Sequence, residues 1–337
     1  MGDIAIKLIY NVGILFLMMV PGVILKKCKL STDGFGKGIS NLVLYIAQPA
    51  LVFLAYVRSF DRTILINSVY ILILSAMAHT LFAFAALALF KTAPDNMRRM
   101  LRFTTIFSNA AFMGIPLISA VLGDEATIYA SVYNITFNLF LWSLGVYICT
   151  DDRDEDGDGV TDGDVYTDYR EVNKKKKSQA SLLKALLHPV TIAAALGLIV
   201  FLLPIESYIP TIINDGLVML KNLVAPLSMV VIGLRLVDID FRGIFKDKHM
   251  YLFLALRHFV LPLIVMLVMR FFMLLGLHID KTVFSVIVIM AATPAASSAT
   301  MLAEKFDCDA TYASKLVAVS TVLSILTMPV VVMLSGI

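Results

Sequence analysis

Ten stretches of mostly apolar residues recur along the chain, at approximately 5–25, 38–57, 64–90, 101–122, 126–149, 182–204, 212–236, 250–276, 282–303 and 311–335. A helix needs about 20 such residues to cross a bilayer, and in hydrocarbon every backbone N–H and C=O must be satisfied within the protein. Ten runs of this length predict an all-α polytopic membrane protein with ten transmembrane helices. The composition agrees: 59% of the 337 residues are hydrophobic and 16% charged, against roughly 25% charged in soluble domains. The first run follows Asp3 instead of a basic segment and has no clear small-residue cleavage site, so it is expected to be retained as a span.

Basic residues set the expected orientation. Lys26, Lys27, Lys29 and Lys37, then Lys91, Arg98, Arg99 and Arg102, then the series from Arg153 to Lys184, then Arg235, Arg242, Lys246 and Lys248, and finally Lys305 and Lys315 fall at alternate helix ends. The opposite ends carry Lys7, Arg58, Arg62, Arg270 and Lys281. The positive-inside rule then puts both termini outside and the central loop in the cytoplasm of a plasma or inner membrane. Three domains follow: 1–150 as a first five-helix repeat, 151–180 as a hydrophilic loop, and 181–337 as a second five-helix repeat. The loop carries Asp154, Asp156, Asp158 and Gly159 at calcium-loop spacing, with Val165 where an EF-hand needs glutamate. A solvated linker is the other reading of that segment. Cys28, Cys149 and Cys308 are too scattered for a disulfide framework or a metal site.

Five spans is an odd number, so similar halves would be inverted relative to each other. LYIAQPALVFLAYVR places Arg58 nine residues after Pro49, and KNLVAPLSMVVIGLR places Arg235 nine after Pro226. DEATIYAS from Asp124 resembles DCDATYAS from Asp307, each opening the last span of its half. Aligned on those spans, SNAAFMGIP in the fourth faces AATPAASSA in the ninth. Proline removes a helix donor and clashes with the carbonyl four residues back, at about 3 kcal/mol. Either each is a simple kink packed by small residues, or both mark discontinuous helices that meet at a central binding site.

SNAAFMGIPL, LYIAQPALVF, VAPLSMVVIGL, TPAASSATMLAEKF and STVLSILTMPVVV together resemble the auxin efflux carrier family, whose plant members are the PIN carriers. The resemblance covers nearly the whole chain outside 151–179. It implies two inverted halves, broken crossing helices 4 and 9, an elevator motion of a transport unit against a scaffold, and organic anion substrates: auxin in plants, dicarboxylates in bacteria. Asn109 matches the asparagine of the family's first crossover, and Pro294 the proline of the second. Ala295 stands where plant members carry an amide, so the fit is better to a compact prokaryotic carrier.

The expected substrate-binding residues are Asn109, Pro116, Asn134, Asn138, Thr293, Pro294, Ser297 and Ser298. Asn134 and Asn138, four apart, share a helix face; interhelical hydrogen bonding is their structural alternative. Lys221, Arg257 and Asp215 are the candidates for charge or coupling. Against that, Lys221 can pair with Asp215, and Arg257 can snorkel to the interface. His79 and His188 read as packing residues before proton relays. No catalytic motif, P-loop, metal site or cofactor motif is present in the sequence, so an enzyme is not expected. The expected partners are a small organic anion and the bilayer; a coupling ion (H+ or Na+) and a homodimer stay open, and nucleic acid is not expected. The leading expectation is a secondary transporter exporting or exchanging small organic anions. A sodium-coupled carrier of the bile-acid type and a membrane receptor signalling through the central loop are the alternatives.

Overall fold

The computed structural model describes residues 2–32, 34–150, 187–203, 205–237, 247–306 and 308–336. Among these the regular structure is helical: α1 (Gly2–Leu17, continued as Val20–Lys27), α2 (Phe35–Tyr56), α3 (Arg62–Leu89), α4 (Asp95–Ile106), α5 (Ala110–Leu122) and α6 (Asp124–Thr150) precede the central loop. After it come α7 (Pro189–Leu202), α8 (Thr211–Val237), α9 (Lys248–Leu274), α10 (Lys281–Ala292), α11 (Ser298–Lys305) and α12 (Ala310–Ser335). Seven of these are long and apolar enough to cross a membrane. Their outer faces are apolar too, with Phe84 70% and Leu326 70% exposed. Water would not tolerate such a surface, whereas lipid is the solvent it requires.

The fourth and ninth expected spans are not single helices. The chain leaves helical geometry after Ile106 and re-enters it at Ala110, and again leaves after Ala292 and re-enters at Ser298. The simple-kink reading is therefore corrected in both places. Pro116 does not make the first break, because it lies in the first turn of the regular helix Ile115–Leu122, beyond a wide turn at Ala110–Gly114. Among the described residues wide π turns also occur at Val43–Ala47, Leu256–Val260 and Leu141–Gly145, and all but the last end two residues before a proline: Pro49, Pro116 or Pro262. The proline ring pushes away the carbonyl four residues back, here that of Tyr45, Phe112 or His258, and the turn widens by one residue to absorb it.

The helices pack as two groups. α1, α2, α7 and α8 lie most densely on one another, and the other eight surround the two breaks. Between α1 and α8 the backbones touch: a Cβ on Gly22 would collide with the Val230 carbonyl oxygen, and one on Gly233 with that of Met19. Small residues at such crossings let dispersion contacts do what hydrophobic burial does in water. A few polar contacts join the groups, among them Tyr56 Oη to Ser131 Oγ at 3.0 Å and Lys221 Nζ to Asp124 Oδ1 at 2.6 Å. The partner of Lys221 is thus Asp124, not Asp215, which lies exposed on α8. The calcium-like spacing and the lysine run of the central loop lie outside the described residues.

Candidate functional site

The two breaks cross and bond to each other. Ser108 and Ala295 form an antiparallel bridge, in which Asn109 N–H donates to Pro294 O at 2.7 Å and Ala296 N–H to Phe107 O at 2.9 Å. These bonds satisfy backbone groups that the helix interruptions set free, and without them extended chain would not persist in a dry interior. Four helix ends meet here. α4 and α10 arrive with their C-terminal carbonyls, and α5 and α11 leave with their N-terminal N–H groups.

Arg257 explains how the two carbonyl ends tolerate each other. Its side chain is completely buried, donating from Nη1 to Thr105 O at 3.3 Å and from Nη2 to Thr293 O at 2.7 Å. Phe82 lies 5.3 Å below the guanidinium carbon. Burying a cation costs several kcal/mol. Each helix C-terminus carries about half a negative charge, so two of them supply roughly one countercharge. A snorkelling arginine is excluded, because the guanidinium points into the crossing.

His258, the next residue, holds the second break from the other side. Ser320 Oγ accepts Ala295 N–H at 2.9 Å and lies 2.9 Å from His258 Nε2, while Thr327 Oγ1 gives its own proton to Leu323 O at 3.2 Å, so that Nε2 accepts from Ser320. His258 Nδ1 then donates to Thr327 Oγ1, also at 2.9 Å. The tautomer follows from this network. His79 sits against Phe107, Tyr133, Phe137 and Phe140 and bonds through Nδ1 to Ser75 O. His188 caps the start of α7, far along the chain from both breaks, accepting Val190 N–H.

Of the sequence-predicted site residues, Asn109, Thr293, Pro294 and Ser297 come together at the crossing. Asn109 is 2% exposed; its Oδ1 accepts from Ser297 Oγ at 3.4 Å, and its Nδ2 is buried with no hydrogen-bond partner in the protein. Ser298 Oγ is likewise buried and unpartnered. Thr293 Oγ1 turns back to Met290 O, so the threonine offers the crossing its carbonyl and not its hydroxyl. Asn134 and Asn138 are buried on α6 with Asn134 Oδ1 and Asn138 Nδ2 unpaired. Pro116 lies two residues past the wide turn of α5, while Lys221 and Asp215 are on α8 away from the breaks.

Two contributors were missed. Gln48, fully buried within the quoted LYIAQPALVF, donates Nε2 to Ala111 O at 2.7 Å and leaves Oε1 unpaired. An amide inside an apolar run was the signal available for it. Arg235, counted in the sequence only among the basic helix ends, also donates Nη1 to Ser297 O at 2.8 Å.

A family model described as membrane transport protein matches residues 8–332. A comparison with curated proteins gives no match. The chain belongs to the membrane transport protein family, the auxin efflux carrier family that its motifs resemble; it is a multi-pass membrane transporter and not an enzyme.

Proposed function

We propose that this family member is a secondary carrier of small organic anions, and that its substrate's carboxylate binds at the crossing of the two broken helices. The observation that carries the reading is Asn109: a buried amide donor, Nδ2, unpaired beside the N-terminal ends of α5 and α11. An unmet buried donor costs about 1–3 kcal/mol, a cost an acceptor on the substrate would remove. Helix N-termini favour negative charge. The two helix groups support an elevator motion, in which α1, α2, α7 and α8 stay as scaffold and the remainder moves with the crossing. In the proposed orientation both termini face outward and the central loop lies in the cytoplasm.

Arg257 weighs against the sodium-coupled alternative. In carriers with broken helices, the C-terminal half-helix carbonyls are where a coupling cation binds. Here the guanidinium already bonds the carbonyls of both ends. Uptake of labelled carboxylates into liposomes should therefore proceed without sodium, and a strict sodium requirement would overturn this part of the reading. Asn109→Ala should reduce uptake on the order of 100-fold while the melting temperature stays near that of the parent, since Nδ2 is unpaired in the protein and the bond lost at Oδ1 is a long one, 3.4 Å to Ser297 Oγ. Undiminished uptake would remove Asn109 from the site.

A further inference from the structure

We propose that a cavity between the ends of α9, α10 and α12 binds the phosphate of an anionic phospholipid. Its volume is about 260 Å³, and its lining includes Arg270 and Met273 of α9, Lys281 and Phe284 of α10, and Ser335 at the end of α12. The site stands apart from the crossing, since none of its lining residues belongs to either break. It is therefore independent of what the carrier moves.

Charge is the first argument. Five cations lie at the helix ends opposite the basic ones, and two of them, Arg270 and Lys281, line this one cavity. Arg270 Nη2 donates to Ser335 O at 2.7 Å, which leaves most of the five N–H donors of the guanidinium unspent. Among the described residues Lys281 Nζ has no hydrogen bond or ion pair, and no carboxylate lines the cavity. The neighbouring Asp280 caps α10, its Oδ1 accepting Thr282 N–H at 2.7 Å. Lys281 opens that helix, where a cation works against the helix dipole, so α10 gains nothing from it. An anion between the two cations would relieve both. A guanidinium meets phosphate oxygens with its planar fork, and an ammonium meets them as a point charge.

The surroundings say which anion. The volume falls just under the roughly 300–1,000 Å³ of small-ligand sites, enough for a phosphate headgroup and too little for lipid chains. Leu267, Phe271 and Leu274 are exposed at helical spacing on α9, as are Leu326, Val330 and Met333 on α12. Both stripes end beside the cavity: Phe271 and Leu274 adjoin Arg270 and Met273 in sequence, and Met333 lies two residues before Ser335. Acyl chains thus have apolar tracks leading away from the charged end, and a free phosphate would use neither. Basic pockets between transmembrane helices hold anionic headgroups in this way. In the orientation proposed above, the lipid belongs to the outer leaflet.

Delipidated full-length protein in detergent, titrated with dioleoylphosphatidylglycerol or dioleoylphosphatidylcholine and read by native mass spectrometry, measures this occupancy directly. The parent should bind its first phosphatidylglycerol about fivefold more tightly than its first phosphatidylcholine, whose ammonium the two cations oppose. Lys281→Gln removes a charge that makes no bond in the protein, so it should melt with the parent and lose that margin. Arg270→Gln should lose it as well, with a small melting loss from the Ser335 contact. Inorganic phosphate at millimolar concentration should leave bound phosphatidylglycerol in place. Equal affinity of the parent for the two lipids, an undiminished preference in Lys281→Gln, or displacement by inorganic phosphate would each overturn the lipid site. If Arg270→Gln melts too low to handle, the Lys281 variant alone decides.

Discussion

The two breaks do the same backbone job with different side chains. In the first, Phe107 to Asn109, the chain brings an amide whose Nδ2 is unpaired. In the second, Thr293 to Ser297, it brings small residues whose carbonyls are taken: Thr293 O by Arg257, Pro294 O by Asn109 N–H and Ser297 O by Arg235. The first break therefore presents a free donor, and the second is tied down at three points. One interruption is suited to meeting a ligand and the other to holding the crossing together. The arginines nine residues after Pro49 and Pro226 differ in the same sense. Arg58 makes a loose 3.9 Å contact with Glu125, both partly exposed, whereas Arg235 turns inward to the second break.

The largest expected effect comes from removing Arg257, whose side chain bonds a carbonyl at each break. Arg257→Met takes a charged donor from Thr105 O and from Thr293 O at once, and hydrogen bonds to charged groups are worth about 1.5–3 kcal/mol each. A loss on the order of 3–5 kcal/mol should follow in unfolding measurements. Hydrogen exchange around 105–109 and 293–297 should quicken together. If only one segment loses protection, the breaks do not depend on a common anchor and the comparison fails at its root.

Much of this arrangement was legible in the sequence, for reasons that can be stated. Ten apolar runs define the helices because hydrocarbon permits little else, and SNAAFMGIP and AATPAASSA locate the interruptions because small and polar residues are out of place in such runs. The position of the first break was harder to read. Pro116 points to it, yet the proline only widens the preceding turn, and the chain is open further back, from Phe107 to Asn109. Lys221 was misread because Asp215 is close in sequence, whereas its partner Asp124 is 97 positions away. The bond of Arg235 to Ser297 O was not legible because a basic residue at a helix end looks alike whether it faces water or folds back on a carbonyl. Only packing separates those cases.

A smaller effect should come from crowding the first broken helix against the second. A Cβ on Gly114 would come within 2.5 Å of Met290 Sδ and 3.6 Å of Thr293 Cγ2. Met290 is fully buried, so it yields only by disturbing its own neighbours. Overpacking of this kind costs about 1–3 kcal/mol, and Gly114→Ala should sit at the lower end because a thioether side chain adapts. Thermal unfolding and liposome uptake measured together sharpen the contrast. A modest melting loss with a larger loss of uptake is expected, since α5 carries the N-terminus beside Asn109. Full uptake would mean that the spacing of α5 and α10 is not critical to the site.

The smallest effect compares the caps of α3 and α9, the third helix of the chain and the third after the central loop, which follow α2 and α8. Asp61 Oδ1 accepts Thr63 N–H at 2.7 Å, and Asp247 Oδ1 accepts His249 N–H at 2.9 Å. Asp247 also takes the hydroxyl proton of Tyr312 through Oδ2 at 2.5 Å, and is 18% exposed. Asp247→Ala should therefore cost about 1 kcal/mol or somewhat more, and Asp61→Ala less, because water replaces its bond. The Thr63 N–H bond holds the Asp61 carboxyl below the usual carboxylate range. Its capping contribution is then complete above the ordinary carboxylate pKa and fades only as pH falls through the lowered folded value. In a pH titration of thermal stability, the difference between parent and Asp61→Ala should persist into acid before closing. If it closes within the ordinary carboxylate range, the cap bond is weaker than its geometry implies, and the two halves differ less at these helix starts than at their breaks.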